Sequence, residues 1–208
     1  MAARTRSNPL ALAVLVCLLE RPMHPYEMAQ TLRERGKHES IKLNYGSLYG
    51  VVESLEAKGL IRAGETVREG RRPERTIYEI TDAGAIELID WLTELVAVPT
   101  KEYLKFEAAL TFLPALGPDQ AVELLKTRTQ ALEMMLAQRR GTFRLAADKG
   151  LPRLFLLEGE YETCLLEAEL EWVQLLVKDI ETGALEGLEE WRSFDAGAPG
   201  TVQTPPQD

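Results

Sequence analysis

The chain has 208 residues, which is enough for one large domain or two small ones with cores of their own. A formal net charge of −9 excludes a protein that is basic over its whole surface. The charge is uneven: residues 1–96 carry 13 Lys and Arg against 14 Asp and Glu, whereas residues 97–208 carry 11 against 19. Between Arg33 and Arg75 basic residues outnumber acidic ones by 10 to 7. A polyanion would therefore bind in the basic region between Arg33 and Arg75. The acidic residues of 97–208 would repel it from other surfaces.

Residues 1–7 read as a short flexible arm. Asn8 as an N-cap and Pro9 in the first turn then open a largely buried helix that runs to Glu20 and places Cys17 in the core. A second helix covers Pro25–Arg35 and ends at Gly36. Although an apolar run follows two arginines, it leads into a charged amphipathic segment without a cleavage site or 18 apolar residues, so we expect a cytoplasmic protein with no membrane partner.

A third helix is predicted between Asn44, a plausible N-cap, and Lys58-Gly59. At about 100° per residue its apolar stripe faces the core. Its outward face, which is made largely of small residues in its N-terminal half, consists of Gly46, Ser47, Gly50, Glu53 and Ser54. Two strands follow, Leu60–Arg62 with Val67 and Thr76–Ile80, and the hairpin tip at 68–75 carries four arginines. A helix with small outward side chains beside a cationic hairpin suggests a DNA-binding site. The order of elements is that of a winged helix-turn-helix.

Residues 8–97 are assigned to this domain, which a helix at Ala83–Val96, capped by Thr81-Asp82, completes. Residues 98–185 show long helical periodicity over Lys101–Leu113, around 122–143 and over Arg153–Glu181. Two long antiparallel helices cannot bury such faces alone, so we expect an all-α dimerisation domain whose stripes a second subunit covers. The predicted class is mainly α, an α/β winged helix-turn-helix followed by this helical domain, with a disordered tail at 193–208.

Three separated motifs, in order, resemble the PadR-like transcriptional regulators: HPYEM at 24–28, GSLY at 46–49 with LEAKGLI at 55–61, and RPERTIYEITDAG at 72–84. ELEW at 169–172 resembles the longer-tailed members. The resemblance implies a homodimeric repressor of a palindromic operator, often released by a small aromatic or drug-like molecule. Pro25 stands where Gly is more usual, and Gly50 follows Tyr49 where Pro is frequent, so the operator sequence does not carry over.

The predicted DNA contacts lie on the third helix, just before it and on the hairpin. Ser47, Tyr45 and Tyr49 offer hydroxyls to base edges or phosphates, and Lys42 is a candidate phosphate anchor. Alternatively, Tyr49 packs beside Val52 and Tyr45 beside the second helix. A cluster of charge on a hairpin is usually just a solvated loop, but beside this helix it indicates phosphate or minor-groove contact from the wing: Arg68, Arg71, Arg72 and Arg75.

In the C-terminal half, aromatic and thiol side chains could line an effector pocket between subunits: Phe143, Tyr161, Cys164 and Trp172. A dimer core is the alternative for the same residues. Neither Cys17 nor Cys164 has a Cys or His at metal-ligand spacing, so two buried thiols in a reducing compartment are expected. No catalytic motif, metal site or cofactor site is predicted. A protein-binding adaptor that uses the winged helix only as a scaffold remains the alternative function.

Overall fold

The computed structural model describes residues 8–37, 40–41, 43–67 and 75–195. The predicted arm at 1–7, most of the predicted tail, Lys42 and three of the four predicted wing arginines, Arg68, Arg71 and Arg72, lie outside these residues. The chain divides into two compact units, Met1–Lys101 and Glu102–Asp208.

Unit 1 contains four helices and two strands among its described residues, in the predicted order. They are α1 (Pro9–Glu20), α2 (Pro25–Glu34), α3 (Tyr45–Ala57), β1 (Ile61–Val67), β2 (Arg75–Ile80) and α4 (Asp82–Ala97). In three of these four helices the side-chain cap is an Asn or a Thr: Asn8 Oδ1 accepts from Leu10 N at 3.1 Å, Asn44 Oδ1 from Ser47 N at 2.7 Å, and Thr81 Oγ1 from Gly84 N at 3.1 Å. These bonds satisfy amides that a helix N-terminus otherwise leaves unpaired.

The core of unit 1 lies between the helices and the start of the hairpin. It is formed by apolar side chains that are almost wholly buried, among them Val14, Leu15, Met28, Leu48, Val52, Leu55, Ile61, Leu88 and Trp91. Cys17 belongs to it, as predicted, and burial raises the pKa of its thiol to about 11. Three of these side chains come from one face of α3, so the opposite face of that helix is left outward.

The hairpin is joined to the turn between α1 and α2. β1 and β2 are antiparallel, with Ile61 opposite Ile80 and Ala63 opposite Tyr78, and a register shift follows Ala63. Met23 pairs with Tyr78 on the other side of β2: each amide donates to the other residue's carbonyl at 3.1 Å. Together with the helix order, this arrangement is the winged helix-turn-helix predicted from the sequence.

Unit 2 is all-helical over its described residues, as predicted, and two of its helices are long. Its elements are α5 (Lys105–Thr111), a 3-10 turn (Leu113–Ala115), α6 (Pro118–Asp148), a second 3-10 turn (Arg153–Phe155), α7 (Leu157–Thr182) and α8 (Leu188–Asp195). α6 and α7 pack antiparallel, since pairs such as Lys126–Glu181 and Arg139–Glu162 join early residues of α6 to late residues of α7 and the reverse.

The ends of these helices differ from the sequence prediction. α5 covers only part of Lys101–Leu113, since it begins at Lys105. It ends at Thr111, because Pro114 has no amide hydrogen and clashes with the carbonyl four residues earlier. α7 begins at Leu157 rather than at Arg153. α8 continues past Ser193, where the tail was expected to begin. It is held by Trp191, which is 7% exposed and whose Nε1 donates to Leu116 O at 2.6 Å.

Candidate nucleic-acid interface and helical face

The exposed face of α3 follows from which of its residues are buried. Leu48, Val51, Val52 and Leu55 pack into the core, and the remaining side chains of the first two turns are exposed. Among those are Gly46, Ser47 and Gly50, which have little or no side chain, so a flat surface can approach the helix axis closely. Ser47 is exposed, and its amide is already taken by the Asn44 cap. The hydroxyl of Ser47 therefore lies on the predicted contact face.

Tyr45 is 39% exposed but is packed against α2. Its ring stacks on Tyr26, with centroids 5.9 Å apart and an interplanar angle of 10°. The guanidinium carbon of Arg33 lies 4.5 Å from the centroid of the Tyr45 ring, and Arg33 Nη1 donates to Tyr45 Oη. These contacts agree with the alternative of packing beside the second helix, and neither Tyr26 nor Arg33 was selected from the sequence.

Tyr49 is 43% exposed and meets His24 edge to face, with ring centroids 6.5 Å apart at 71°. His24 caps α2 by accepting the Tyr26 amide at Nδ1, at 3.0 Å. Burial lowers the pKa of His24, and the positive charge of Arg75 lowers it further, while Glu27 opposes them. The lowered pKa favours the neutral imidazole of His24, whose lone pair at Nδ1 the cap requires.

Arg75 is the one predicted wing arginine that the described residues include. It is exposed, begins β2 opposite Val67, and acts electrostatically on His24. Arg62 of β1 is instead paired with Glu79 of β2, with 2.6 Å between Nε and Oε1. Residues of α2, α3 and the start of β2 thus form one neighbourhood of hydroxyls, rings and positive charge.

In unit 2 the structure does not gather the four effector candidates into one pocket. Tyr161 and Trp172 are both on α7 and eleven residues apart, which is about 16 Å along the axis. Phe143 of α6 lies near the start of α7, far from Trp172, because a Cβ built on Gly159 would lie 3.1 Å from its ring. Cys164 is exposed, contrary to the expectation of two buried thiols, because the face of α7 that carries it points away from α6.

Trp172 has neighbours that the sequence did not indicate. Its ring is 47% exposed and meets Phe106 of α5 edge to face, with centroids 6.2 Å apart at 82°. The guanidinium carbon of Arg128 lies 3.6 Å from the centroid of Phe106, and Arg128 Nε donates to Glu169 at 2.6 Å. An exposed indole, a second ring and a guanidinium therefore lie together at this corner of unit 2.

The apolar stripe predicted over Arg153–Glu181 is largely exposed. Its large members include Leu154 of the second 3-10 turn at 71%, and Leu157 at 47%, Tyr161 at 68% and Leu175 at 52% on α7. Packing against α6 uses other residues of α7, including Val173, Val177 and Ile180. Among the described residues no helix is long and apolar enough to cross a membrane, and no cluster of three or more His, Cys, Asp or Glu could hold a metal ion.

Residues 14–90 match the model of the transcriptional regulator PadR-like family. The chain carries a PadR-like domain. The negative transcriptional regulator PadR of Bacillus subtilis (strain 168) is 25% identical over 147 residues, which are 70% of this chain and 79% of that protein.

Two crystal structures share the fold of the PadR-like domain and of much of the helical unit. Bacillus subtilis PadR in complex with operator DNA has a TM-score of 0.68 at 19% identity, covering 83% of this chain and 99% of that chain. The same protein in complex with p-coumaric acid has a TM-score of 0.66 at 18% identity, covering 83% and 98%.

Proposed function

We propose that this protein is a homodimeric transcriptional repressor that binds a palindromic operator through α3 and the hairpin. The observation that carries the proposal is the exposed first half of α3, where Gly46, Ser47 and Gly50 leave room beside Tyr45 and Tyr49 for the helix to enter a major groove. The crystal structure of a relative with operator DNA supports it. Dimerisation is proposed from the exposed stripe of α7, which a second copy would bury.

In this proposal Ser47 and Tyr49 contact DNA from α3, with Lys42 as a phosphate anchor and Arg68, Arg71, Arg72 and Arg75 acting from the wing. Tyr45 contributes through its exposed edge. Because each subunit brings few cations, affinity depends on two subunits binding together and on salt. Two recognition helices related by a two-fold axis would read half-sites about 10 base pairs apart, or a multiple of that spacing.

The test is a titration of labelled duplex from upstream of the protein's own reading frame, against scrambled duplex of equal length. A repressor gives a shift that scrambled DNA cannot compete away, whereas an adaptor that keeps only the scaffold gives no sequence-dependent shift at physiological salt. Replacing Arg71 and Arg72 together by Ala should weaken binding and lower the slope of log affinity against log salt by up to about two. Arg62→Ala, which removes a charge already paired with Glu79, is the matched control. An unchanged salt slope in the double variant contradicts the wing assignment.

The effector is proposed to be a small aromatic molecule, as the relative crystallised with p-coumaric acid suggests. Trp172 is its best single contact, because the exposed indole lies beside Phe106 and near the Arg128 guanidinium, and Phe143, Tyr161 and Cys164 would belong to the same subunit interface. Trp172 is the sole tryptophan of a Trp91→Phe, Trp191→Phe protein. An effector that releases DNA without quenching its fluorescence would exclude a site at Trp172.

A further inference from the structure

The Tyr45 ring contacts two side chains of α2. Tyr26 and Arg33 are seven residues apart, close to two turns, so both lie on one face of α2, about 10 Å apart along the axis. The Tyr45 centroid lies 5.9 Å from the Tyr26 centroid and 4.5 Å from the Arg33 guanidinium carbon. The Tyr45 ring therefore contacts two side chains from the same face of α2.

The contact acts on the start of α3. Tyr45 is the first residue of that helix, directly after the Asn44 cap, and Arg33 Nη1 donates to its hydroxyl oxygen. The buried residues of α3 begin only at Leu48, so the core holds the later turns of the helix more firmly than its first turn. The link to Tyr26 and Arg33 therefore supplies a restraint where the contact face begins.

We propose that Arg33 is a positioning residue for operator recognition: through Tyr45 it fixes the first turn of α3 relative to α2. This inference rests on the proposed function, in which α3 reads DNA. Hydrogen bonds to base edges require accurate placement of the helix, whereas attraction to phosphates tolerates displacement. Loss of the link should therefore reduce discrimination between sequences and leave general DNA affinity unchanged.

The test compares affinities for two duplexes, one selected by the full-length wild-type protein from a random pool and one a shuffled version of it. Fluorescence anisotropy gives both dissociation constants over a range of KCl. Arg33→Lys keeps the positive charge but loses the planar fork. Tyr45→Phe keeps the ring in place but removes the acceptor oxygen. Arg35→Lys is the matched control at the C-cap of the same helix, because Arg35 pairs with Glu20 of α1 at 2.5 and 2.7 Å.

Arg33→Lys and Tyr45→Phe should each reduce the ratio of the two dissociation constants by about tenfold, the cost of one lost charge-assisted hydrogen bond. The double variant should lose little more, since both changes remove the same contact. The salt slopes should stay at the wild-type value, and Arg35→Lys should keep the wild-type ratio. Arg33 and Arg35 are exposed, so both Lys variants are expected to fold, and circular dichroism verifies this.

An unchanged ratio in Arg33→Lys overturns the positioning role. The role is also overturned if Arg33→Gln weakens binding to both duplexes equally and lowers the salt slope by about one, since that is the behaviour of a phosphate contact. A wild-type protein that selects no preferred duplex overturns the proposed function and this inference together. A wild-type protein that discriminates, with variants that do so equally well, overturns the inference alone.

Discussion

Gly50 offers a change whose effects on stability and on DNA binding should have opposite signs. The residue lies on the exposed face of α3, and a Cβ built on it meets no heavy atom within 4 Å. Alanine therefore fits the folded subunit without displacement. A glycine inside a helix costs about 0.5–1 kcal/mol relative to alanine, so Gly50→Ala should raise the free energy of unfolding by that amount. For a unit of this size the melting temperature should rise by about 2–8 °C.

The added methyl group would stand on the surface that we propose faces the operator. At a position where a glycine allows close approach, the methyl group would hold α3 away from the DNA. We therefore expect operator affinity to fall by at least about tenfold, or about 1.4 kcal/mol. Thermal melting by circular dichroism and an anisotropy titration with the duplex selected by the wild-type protein measure the two effects on one preparation.

Gly141→Ala is the matched control, since Gly141 is inside α6 and its built Cβ also meets nothing within 4 Å. It should give a similar gain in stability with no change in affinity. If Gly50→Ala melts higher than wild type and binds the operator as tightly, the outward face of α3 is not the DNA-reading surface. If Gly50→Ala melts at a lower temperature than wild type, the space around Gly50 does not accept a methyl group.

Two further predictions concern stability. In Gly84→Ala the new Cβ would lie 2.0 Å from the backbone oxygen of Leu60, so the free energy of unfolding should fall by about 1–3 kcal/mol or more. Urea denaturation measures this, and an unchanged midpoint would contradict the close packing at Gly84. Burial is the main cause that lowers the pKa of His24 on folding, and the charge of Arg75 is the second. The neutral His24 cap therefore stabilises the folded protein above about pH 6.5, and this stabilisation is lost as pH falls. His24→Asn keeps a cap that cannot titrate, and its melting temperature should vary less than wild type between about pH 7.5 and 5.5; equal pH dependence would exclude His24 as the source.

The parts of the fold that depend on local signals could be predicted from the sequence. Asn8, Asn44 and Thr81 mark the starts of α1, α3 and α4 because a short polar side chain satisfies the first amides of a helix, and all three caps are present. The core face of α3 followed from helical periodicity alone. The prediction missed Pro114 as a stop signal for α5, although its effect is also local.

Features that depend on distant residues could not be predicted. α8 owes its place to the Trp191 bond with Leu116, 75 residues earlier in the chain, which no local pattern indicates. Tyr45 could be assigned to DNA or to packing because periodicity says which side of a helix a residue faces but not which neighbour it meets. The effector candidates were grouped by residue type, and helix geometry then separates Tyr161 from Trp172 along α7.

The pairing of Met23 with Tyr78 links the hairpin directly to the segment between α1 and α2. Met23 directly precedes the cap of α2, and Tyr78 lies three residues after Arg75 on β2. A displacement of the hairpin therefore reaches the beginning of α2 through two backbone hydrogen bonds, both 3.1 Å long. Docking of the wing and positioning of α2 should consequently be coupled events, and the hydrogen-bonded amides of Met23 and Tyr78 should become more strongly protected from hydrogen exchange together when DNA binds.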